Sequence, residues 1–479
     1  MKKLFFLNIC VLMLASMAWG QAEVNLQNEK IHDIHYFFAE KAGFSASKKT
    51  TYAEIRKLFN GRNVYFFSGF DFENYESGHP NLTQIRSAEV SGISLGVRET
   101  QRDGGKIRVT PLSSSGSYSI IGHSQGGLRA LGYASHFKNT PNSLNRIDAI
   151  ITISGIDQGL KALDGGLAGL KATASSKVNI VGNGLRAALG VSDIFAVLAN
   201  FIPRNKLADG IGFFMSILPP TMGKYWEVAW RTTNIDSFPQ LRDMVPRSQY
   251  IRDNVVDTKT HTYKVKTGSQ LTSELRSKKV LGIKVWYLWI GYVDTYKTVS
   301  VDEVTPKFNP ALQSAHAVPL GFIVGLDNKS LSMADNEKAI RDGIKAAEIA
   351  FGFVQGVHVV KSVSLVGLLT GSVGFATDAN RARELMANID SELYDIIGSK
   401  QGDGLVAFES QFIPQKFTDP NTKAERQHLR NKILGKTNDG IVRMSKFNHK
   451  NIAENTATFT EAQKMIIEGF EERVKQKLR

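Results

Sequence analysis

Four short apolar runs, each ending at a small or turn-forming residue, most constrain how this chain of 479 residues folds. They are Asn63–Phe67, Tyr118–Ile121, Ala149–Ile153 and Lys284–Ile290. Runs of this length and composition are typical of strands that are buried on both faces of a parallel sheet. Helical stretches alternate with them, and no repeat of fixed period is visible. The sequence therefore predicts an α/β fold with a mostly parallel central sheet.

Two segments depart from this alternation. Residues 160–235 are rich in glycine and alanine and contain apolar clusters, and residues 305–400 are predicted to be largely helical. We interpret both as insertions into one domain spanning residues 21–479, rather than as separate domains. The apolar helices of the first insertion fit either a lid that closes over a pocket or ordinary core helices, and both readings stay open.

The first twenty residues have the order of a secretory signal peptide. Lys2 and Lys3 precede an apolar run from Leu4 to Ala15, and Ala18–Gly20 offers small residues before Gln21. The run is short for a membrane span of about 20 residues. We therefore predict cleavage after Gly20 and export to a bacterial envelope, periplasm or medium, with a membrane anchor as the alternative.

The formal net charge is +14, from 59 basic and 45 acidic residues, and loss of Lys2 and Lys3 leaves +12. A basic balance favours anionic partners such as lipid headgroups. Nucleic acid is not expected, because the chain is predicted to be exported and no aromatic-plus-basic recognition module is visible. The only cysteine, Cys10, lies in the predicted signal peptide. Its removal would exclude disulfides, a thiolate nucleophile and a cysteine-ligated metal.

The segment Gly122–Gly127 (GHSQGG) matches the G-x-S-x-G pattern of a nucleophile elbow. In this turn a serine sits between a strand and a helix, and small neighbours allow close packing. A second copy of the pattern, Gly92–Gly96, is followed by a charged, glycine-containing stretch with no strand–turn–helix frame. Ser124 follows an apolar strand and opens a helix-compatible run, so we predict Ser124 as a nucleophile and Ser94 as a structural residue.

Several blocks resemble segments of bacterial lipases and esterases, which are serine hydrolases of the α/β-hydrolase superfamily. Val64–Phe70 is similar to the family's strand before the oxyanion residue, although Ser68 replaces the family's histidine. Trp286–Gly291 resembles a strand upstream of the acid, Gly402–Val406 resembles the acid loop, and Phe447–His449 resembles the family's Asn-His. The resemblance implies an α/β-hydrolase fold.

The same resemblance implies a catalytic set of Ser124, Asp403 and His449, with backbone N–H groups of Phe70 and Gln125 as the oxyanion hole. A serine hydroxyl is a weak nucleophile until an imidazole accepts its proton, and the imidazole needs a carboxylate to fix its tautomer.

Alternatives to two members of this set remain open. Asp294 directly follows a predicted strand and is a rival acid, and Asp439, in an Asn-Asp-Gly turn, is a weaker rival. His428 is the alternative histidine near His449, and a solvated, non-catalytic histidine is the remaining interpretation.

The resemblance implies hydrolysis of carboxylic esters, with lipids or other long-chain acyl esters as the expected substrates and an acyl-enzyme on Ser124. We predict no cofactor and no metal-binding residue. The family's calcium-site aspartate has no match at Lys450–Asn451, so no calcium site is assigned and calcium binding stays open. Transient contact with a lipid surface is expected, and the oligomeric state stays open. The alternative is a non-catalytic envelope protein that keeps a hydrolase fold and binds membranes or partners. Acyltransferase or peptidase chemistry would use the same residues.

Overall fold

The computed structural model describes most of the chain after residue 115. The described residues are 33–38, 59, 63–69, 80–95, 107–108, 116–189, 238–280, 283–308, 317–333, 337–362, 372–414, 416–418, 425–427, 434–435, 437 and 439–478. The predicted signal peptide, Cys10 and residues 190–235 of the first predicted insertion therefore lie outside the described residues.

The strands are β1 Asp33–Phe38, β2 Val64–Ser68, β3 Ile93–Ser94, β4 Ile107–Arg108, β5 Tyr118–His123, β6 Ile147–Ile153, β7 Val256–Val280, β8 Ile283–Pro306, β9 Leu320–Gly325, β10 Lys416–Thr418, β11 Glu425–Gln427 and β12 Ile441–Met444. The helices are α1 Leu82–Val90, α2 Gln125–His136, α3 Pro141–Leu144, α4 Gly166–Leu189, α5 Pro239–Asp243, α6 Gln249–Asn254, α7 Glu337–Ser362, α8 Ser372–Ala387, α9 Ile389–Ile397 and α10 Thr456–Leu478. Short 3-10 turns lie at Lys161–Leu163, Ser330–Met333, Phe408–Ser410 and Asn451–Glu454.

A six-stranded sheet with the order β12-β9-β6-β5-β1-β2 forms the centre of the described structure, and all of its strand pairs are parallel. β2 pairs with one edge of β1, and β5, the next strand of this sheet along the chain, pairs with the other edge of β1. From there β6, β9 and β12 follow in chain order. The order therefore reverses between β1 and β5, and in α/β sheets ligands bind at the carboxyl ends of the strands beside such a reversal.

Each face of the sheet has its own apolar layer, because successive side chains of a strand point to opposite faces. One layer contains Phe37, Phe67, Ile120 and Ile150 with Leu128 and Leu131 of α2. The other contains Ile34, Tyr36, Ile121 and Ile151 with Phe459 and Ile466 of α10. The sheet thus lies between helices on both faces, which confirms the predicted α/β architecture with a parallel sheet. Its strands are nearly continuous apolar runs because both faces are covered.

A buried ion pair joins α2 to α1, and its arginine also bonds to the carboxyl ends of β1 and β2. Arg129 and Glu89 have no exposed side-chain surface and contact each other directly. The Arg129 guanidinium also donates to the carbonyl oxygens of Phe38 at 2.9 Å and Phe67 at 3.2 Å. Burial raises the pKa of Glu89 to about 7, and Arg129 acts in the opposite direction. Removal of one member alone would leave an uncompensated buried charge.

The run Lys284–Ile290 does not form a central strand, so this prediction was wrong. It lies in β8, which among the described strands pairs with β7 in a two-stranded antiparallel ribbon. The strands have 25 and 24 residues, which gives a length of about 80 Å. The apolar residues of the run alternate between the two faces of the ribbon, and most of their side chains are exposed.

The strand predicted after Ala149–Ile153 is instead Leu320–Gly325, which pairs with β6 and β12. This strand lies inside the segment 305–400 that was predicted as a helical insertion, so the helical part begins only after it. α7, α8 and α9 follow, and α8 packs between α7 and α4, where Gly184 closely approaches Ala382 and Phe351. Among the described helices, none is both long and apolar enough to span a membrane.

His35 of β1 makes stability sensitive to acid. Its ring stacks on Tyr118 at 4.4 Å, its Nδ1 has no partner in the described structure, and burial lowers its pKa from 6.5 to about 3. Below pH 6.5 the unfolded chain therefore takes up a proton that the folded chain excludes. The stabilisation is complete above pH 6.5 and is lost as the pH falls towards 3.

We predict that His35→Phe reduces the loss of unfolding free energy between pH 7 and pH 5 by about 2 kcal/mol. Phenylalanine retains the ring stacking and takes up no proton, so stability at pH 7 should change little. Urea unfolding of both proteins at the two pH values measures the difference. An unchanged pH dependence would show that His35 is not the titrating group.

Candidate active site

Ser124 occupies a strained turn between β5 and α2. Its backbone has φ 57° and ψ −128°, a conformation that costs a non-glycine residue about 1–3 kcal/mol. Neighbouring backbone groups hold the turn. Ser124 N–H donates to the carbonyl of Ile153 at 3.2 Å, and the Ser124 carbonyl accepts from Gly127 at 3.0 Å and Ile156 at 3.1 Å. The strand–turn–helix frame predicted for the Gly122–Gly127 motif is therefore present.

At three positions of the motif, neighbouring atoms lie so close to the backbone that there is no room for a Cβ atom. A Cβ at Gly122 would overlap the backbone of Gly126, and a Cβ at Gly126 would overlap the backbone of Phe37 in β1. A Cβ at Gly127 would meet the buried carboxyl group of Asp157. The first turn of α2 thus lies directly against β1 and the loop after β6.

The second copy of the motif has a different environment. Ser94 lies in β3 and is 4% exposed. Its hydroxyl accepts from Ser68 N–H at 3.0 Å and donates to the Ser68 carbonyl at 3.2 Å. The Ser94 hydroxyl therefore pairs the backbone polar groups of the last residue of β2, which agrees with the predicted structural role.

The structure brings Ser124, His449 and Asp403 together in one hydrogen-bonded series. The distance from Ser124 Oγ to His449 Nε2 is 2.8 Å, and that from His449 Nδ1 to Asp403 Oδ2 is 2.7 Å. All three residues are at most 4% exposed. Because the carboxylate only accepts, Nδ1 carries the hydrogen and the Nε2 lone pair faces the serine hydroxyl. This is the arrangement in which an imidazole can take a proton from a serine.

The Asp403 carboxylate is held by its own loop. Its Oδ1 accepts from the N–H groups of Leu405 at 3.1 Å and Val406 at 2.7 Å. Gly404 has φ 87°, which lets the loop turn back onto the carboxylate. His449 N–H donates to the Asp403 carbonyl at 2.8 Å, so backbone as well as side chain joins the two residues.

Gln411 fixes this loop to the end of β9 and was not identified from the sequence as a site residue. Its Oε1 accepts from Gly325 N–H at 2.9 Å, and its Nε2 donates to the carbonyls of Val406 at 3.0 Å and Gly325 at 3.2 Å. A Cβ at Gly325 would overlap Asp403 and Phe447, so this glycine makes room for the loop. Asp403 therefore lies at the end of β9 although 78 residues separate it from that strand in sequence.

His123 supports the backbone of His449. It is fully buried, and burial, with a smaller effect of His449, lowers its pKa to about 3, so the ring is neutral near pH 7. Its Nε2 lies 3.1 Å from the His449 carbonyl, which can only accept, so Nε2 carries the hydrogen and donates.

Asp157 is a second buried carboxyl group below the turn, in a different environment from Asp403. It receives one side-chain hydrogen bond, from Thr152 Oγ1 at 2.7 Å, and its Oδ1 has no partner in the described structure. Burial raises its pKa well above the usual range. The two aspartates therefore differ in the number of donors that stabilise their ionised forms.

The rival acids lie elsewhere. Asp294 is on the ribbon, paired with Lys266 at 2.7 Å, and its side chain is 39% exposed. Asp439 is paired with Arg443, also at the surface. Neither contacts His449 in the described structure. The alternative histidine, His428, lies outside the described residues.

One of the two predicted oxyanion donors can be placed. Gln125 is the first residue of α2, so its N–H has no acceptor within the helix and lies at the positive end of the helix dipole. Its side chain donates to Gln240 of α5 at 2.9 Å. Phe70 lies outside the described residues. The end of β2 is one strand further from β5, because β1 lies between them.

The fold and the site define a broad class: an α/β protein whose parallel sheet carries a hydrogen-bonded Ser–His–Asp series at its carboxyl edge. The chain matches no protein-family model, no curated protein and no solved structure. The described residues contain no group of three or more His, Cys, Asp or Glu side chains placed to hold a metal ion. Membership of the α/β-hydrolase superfamily stays a prediction.

We predict that Gly126→Ala lowers the unfolding free energy by about 3 kcal/mol, because the added methyl group must displace the backbone of β1. Gly169→Ala is the matched control, since its Cβ would meet nothing within 4 Å in helix α4. That change should stabilise the protein by about 0.5–1 kcal/mol. Thermal unfolding of the two variants measures both effects, and equal midpoints would contradict the close approach.

Proposed function

We propose that the chain is an exported serine hydrolase of the α/β-hydrolase, lipase-like class that cleaves carboxylic esters. The observation that carries the proposal is the buried series Ser124–His449–Asp403, with 2.8 Å and 2.7 Å between its members. The strained turn at Ser124 and the reversal of strand order beside it support the same proposal. Export rests on the N-terminal sequence alone.

In the first half of the reaction His449 acts as the general base. As Ser124 Oγ attacks the ester carbonyl carbon, its proton passes to His449 Nε2, and the carbonyl oxygen becomes an oxyanion. The Asp403 carboxylate stabilises the imidazolium through Nδ1–H and stays ionised. The two loop N–H groups that donate to Asp403 Oδ1 hold the carboxylate in position against His449 Nδ1.

The oxyanion needs donors that are fixed before it forms. Gln125 N–H meets this requirement, because it belongs to the first turn of α2 and is held beside Ser124. The sequence resemblance assigns the second donor to Phe70. Since the strained turn fixes both the nucleophile and the Gln125 N–H, little reorganisation accompanies the attack.

Collapse of the tetrahedral intermediate transfers the proton from His449 Nε2 to the departing alkoxide, which leaves as an alcohol. The acyl group remains on Ser124 Oγ as an ester. Water then gives its proton to His449 and attacks the acyl carbon. The second intermediate releases the carboxylic acid and returns the proton to Ser124.

The proposed substrates are lipids or other long-chain acyl esters. Two features support this class: the lipase resemblance of the motif blocks, and the apolar segment that follows β6. The described part of that segment is α4, a 24-residue helix beginning at Gly166. A lid over the acyl pocket is the role proposed for this segment.

Hydrolysis of p-nitrophenyl esters of graded acyl length tests the proposal. We expect the wild-type chain to release p-nitrophenol, with the highest kcat/KM for long acyl chains. Ser124→Ala should lower kcat by at least about 10⁴-fold, because no other group can form the acyl-enzyme. Equal rates for the two proteins would overturn the proposal, and a preference for short chains would replace lipids by short-chain esters.

Replacing each acid by its amide identifies the acid. Asp403→Asn should lower kcat by about 10⁴-fold, because an amide stabilises the wrong tautomer of His449. The matched control is Asp294→Asn, which removes a surface carboxylate at the position of the rival acid and should leave kcat within about twofold. The opposite pattern would transfer the acid role to Asp294.

Covalent labelling by a fluorophosphonate probe separates an enzyme from a non-catalytic envelope protein of the same fold. An activated Ser124 should be labelled, and Ser124→Ala should not be. Absence of labelling in folded wild-type protein, with the fold verified by circular dichroism, would favour the binding protein.

A further inference from the structure

The outer part of the β7–β8 ribbon carries exposed apolar side chains on both faces. One face has Val280, Ile283, Val285, Tyr287 and Val293, which are between 44% and 70% exposed, and the other face, which we call the apolar face, has six large side chains. We define residues 271–280 and 283–293 as the ribbon tip. Cross-strand neighbours share a face, and the register pairs Leu271 with Tyr292, Ser273 with Ile290, Leu275 with Leu288 and Ser277 with Trp286. The six large side chains on this face are between 56% and 72% exposed: Leu271, Leu275, Trp286, Leu288, Ile290 and Tyr292.

The same face is mostly polar nearer the domain. There the register pairs Ser269 with Asp294, Lys264 with Thr298 and Thr262 with Ser300. The exception is Tyr296, which pairs with Lys266 and is 58% exposed. Six exposed apolar side chains in four successive pairs are unfavourable in water, and exposed apolar patches of this kind mark interaction sites. The apolar face is therefore a local feature of the ribbon tip rather than of the ribbon as a whole.

The ribbon tip is also basic. It carries Arg276, Lys278, Lys279 and Lys284 against one carboxylate, Glu274, a net charge of +3. Lys279 and Lys284 form the cross-strand pair at the outer end of the apolar face. The tip's two tryptophans lie next to cations: Arg276 lies 3.8 Å from the ring centre of Trp289, and Lys284 Nζ lies 4.5 Å from that of Trp286.

This combination fits an anionic lipid surface better than a protein. Tryptophan and tyrosine prefer the membrane–water interface, and lysine and arginine beside them reach anionic headgroups. A second copy of the chain would bring an identical +3 tip against the first, and like charges repel. Charge complementarity therefore favours a negatively charged partner with an apolar layer beneath its surface.

We propose that the ribbon tip docks on anionic lipid surfaces, with its apolar face in the interfacial layer and its lysines among the headgroups. The base of the ribbon is fixed to the domain: Val256 and Val304 are buried, and Lys307 N–H donates to the Val255 carbonyl at 2.9 Å. Docking thus holds the domain at a lipid surface through a ribbon about 80 Å long. The proposal does not depend on hydrolysis.

Co-sedimentation with vesicles tests the docking. We expect the chain to bind vesicles of phosphatidylcholine mixed with phosphatidylglycerol, more weakly as salt rises, and to bind pure phosphatidylcholine vesicles much less. Trp286→Ser combined with Leu288→Ser should weaken binding at least tenfold. Both residues are exposed, so the fold should be unaffected, and circular dichroism verifies this.

A matched pair of charge reversals locates the electrostatic part. Lys279→Glu with Lys284→Glu should weaken binding to the anionic vesicles at least tenfold. Lys264→Glu with Lys297→Glu makes the same charge change at exposed positions of the inner ribbon and should weaken it less than about threefold. Equal effects of the two pairs would mean that net charge, not the ribbon tip, governs binding.

Three results would overturn the proposal. They are absence of binding to the anionic vesicles, wild-type binding by the Trp286→Ser, Leu288→Ser variant, and self-association that this variant abolishes in sedimentation of the protein alone. The last result would identify a second copy as the occupant. Ser124→Ala should bind vesicles as the wild type does. Vesicle binding therefore tests docking independently of whether the chain hydrolyses esters.

Discussion

The contact between Gly126 and the backbone of Phe37 is the constraint on which the site depends. It presses the first turn of α2 against β1, so the chain leaving β5 has only one residue in which to change direction. Ser124 makes that change at positive φ, and its side chain lies 2.8 Å from His449 Nε2. The Arg129–Glu89 pair and the bonds from Arg129 to Phe38 and Phe67 hold the same helix against the ends of two strands. The packing of α2 against β1 and β2 thus maintains the strained backbone conformation of Ser124.

Backbone hydrogen bonds, in addition to side-chain packing, hold Asp403 and His449 in position. The Asp403 carboxylate accepts from two N–H groups of its own loop, and its carbonyl accepts from His449 N–H. Gln411 joins the same loop to Gly325. Each of these bonds is buried, where an unmade bond costs about 1–3 kcal/mol. The geometry of the Ser–His–Asp series therefore depends on the loop around Asp403. This loop has little regular secondary structure, and its buried hydrogen bonds fix its conformation.

Sequence predicted those parts of the structure in which local pattern and tertiary environment agree. Tyr118–Ile121 and Ala149–Ile153 are strands because they are buried on both faces, and the residues predicted as Ser, Asp and His lie within hydrogen-bond distance. Lys284–Ile290 has the same composition, yet it forms an exposed ribbon, because composition does not reveal what covers a strand. Gln411 was missed since a buried amide has no sequence signature, and β9 was missed inside a mainly helical segment.

The separation of the site residues along the chain has a consequence for the timing of folding. Ser124 and His449 are 325 residues apart, and the acid loop closes only on β9 and the backbone of His449. A chain synthesised from its N-terminus contains the Ser124 turn, α2 and strands β1, β5 and β6 long before His449 exists. Under the proposed function, Ser124 has no proton acceptor through most of this synthesis. The proposed activity then begins only when β12 has paired with β9 and His449 lies beside Ser124.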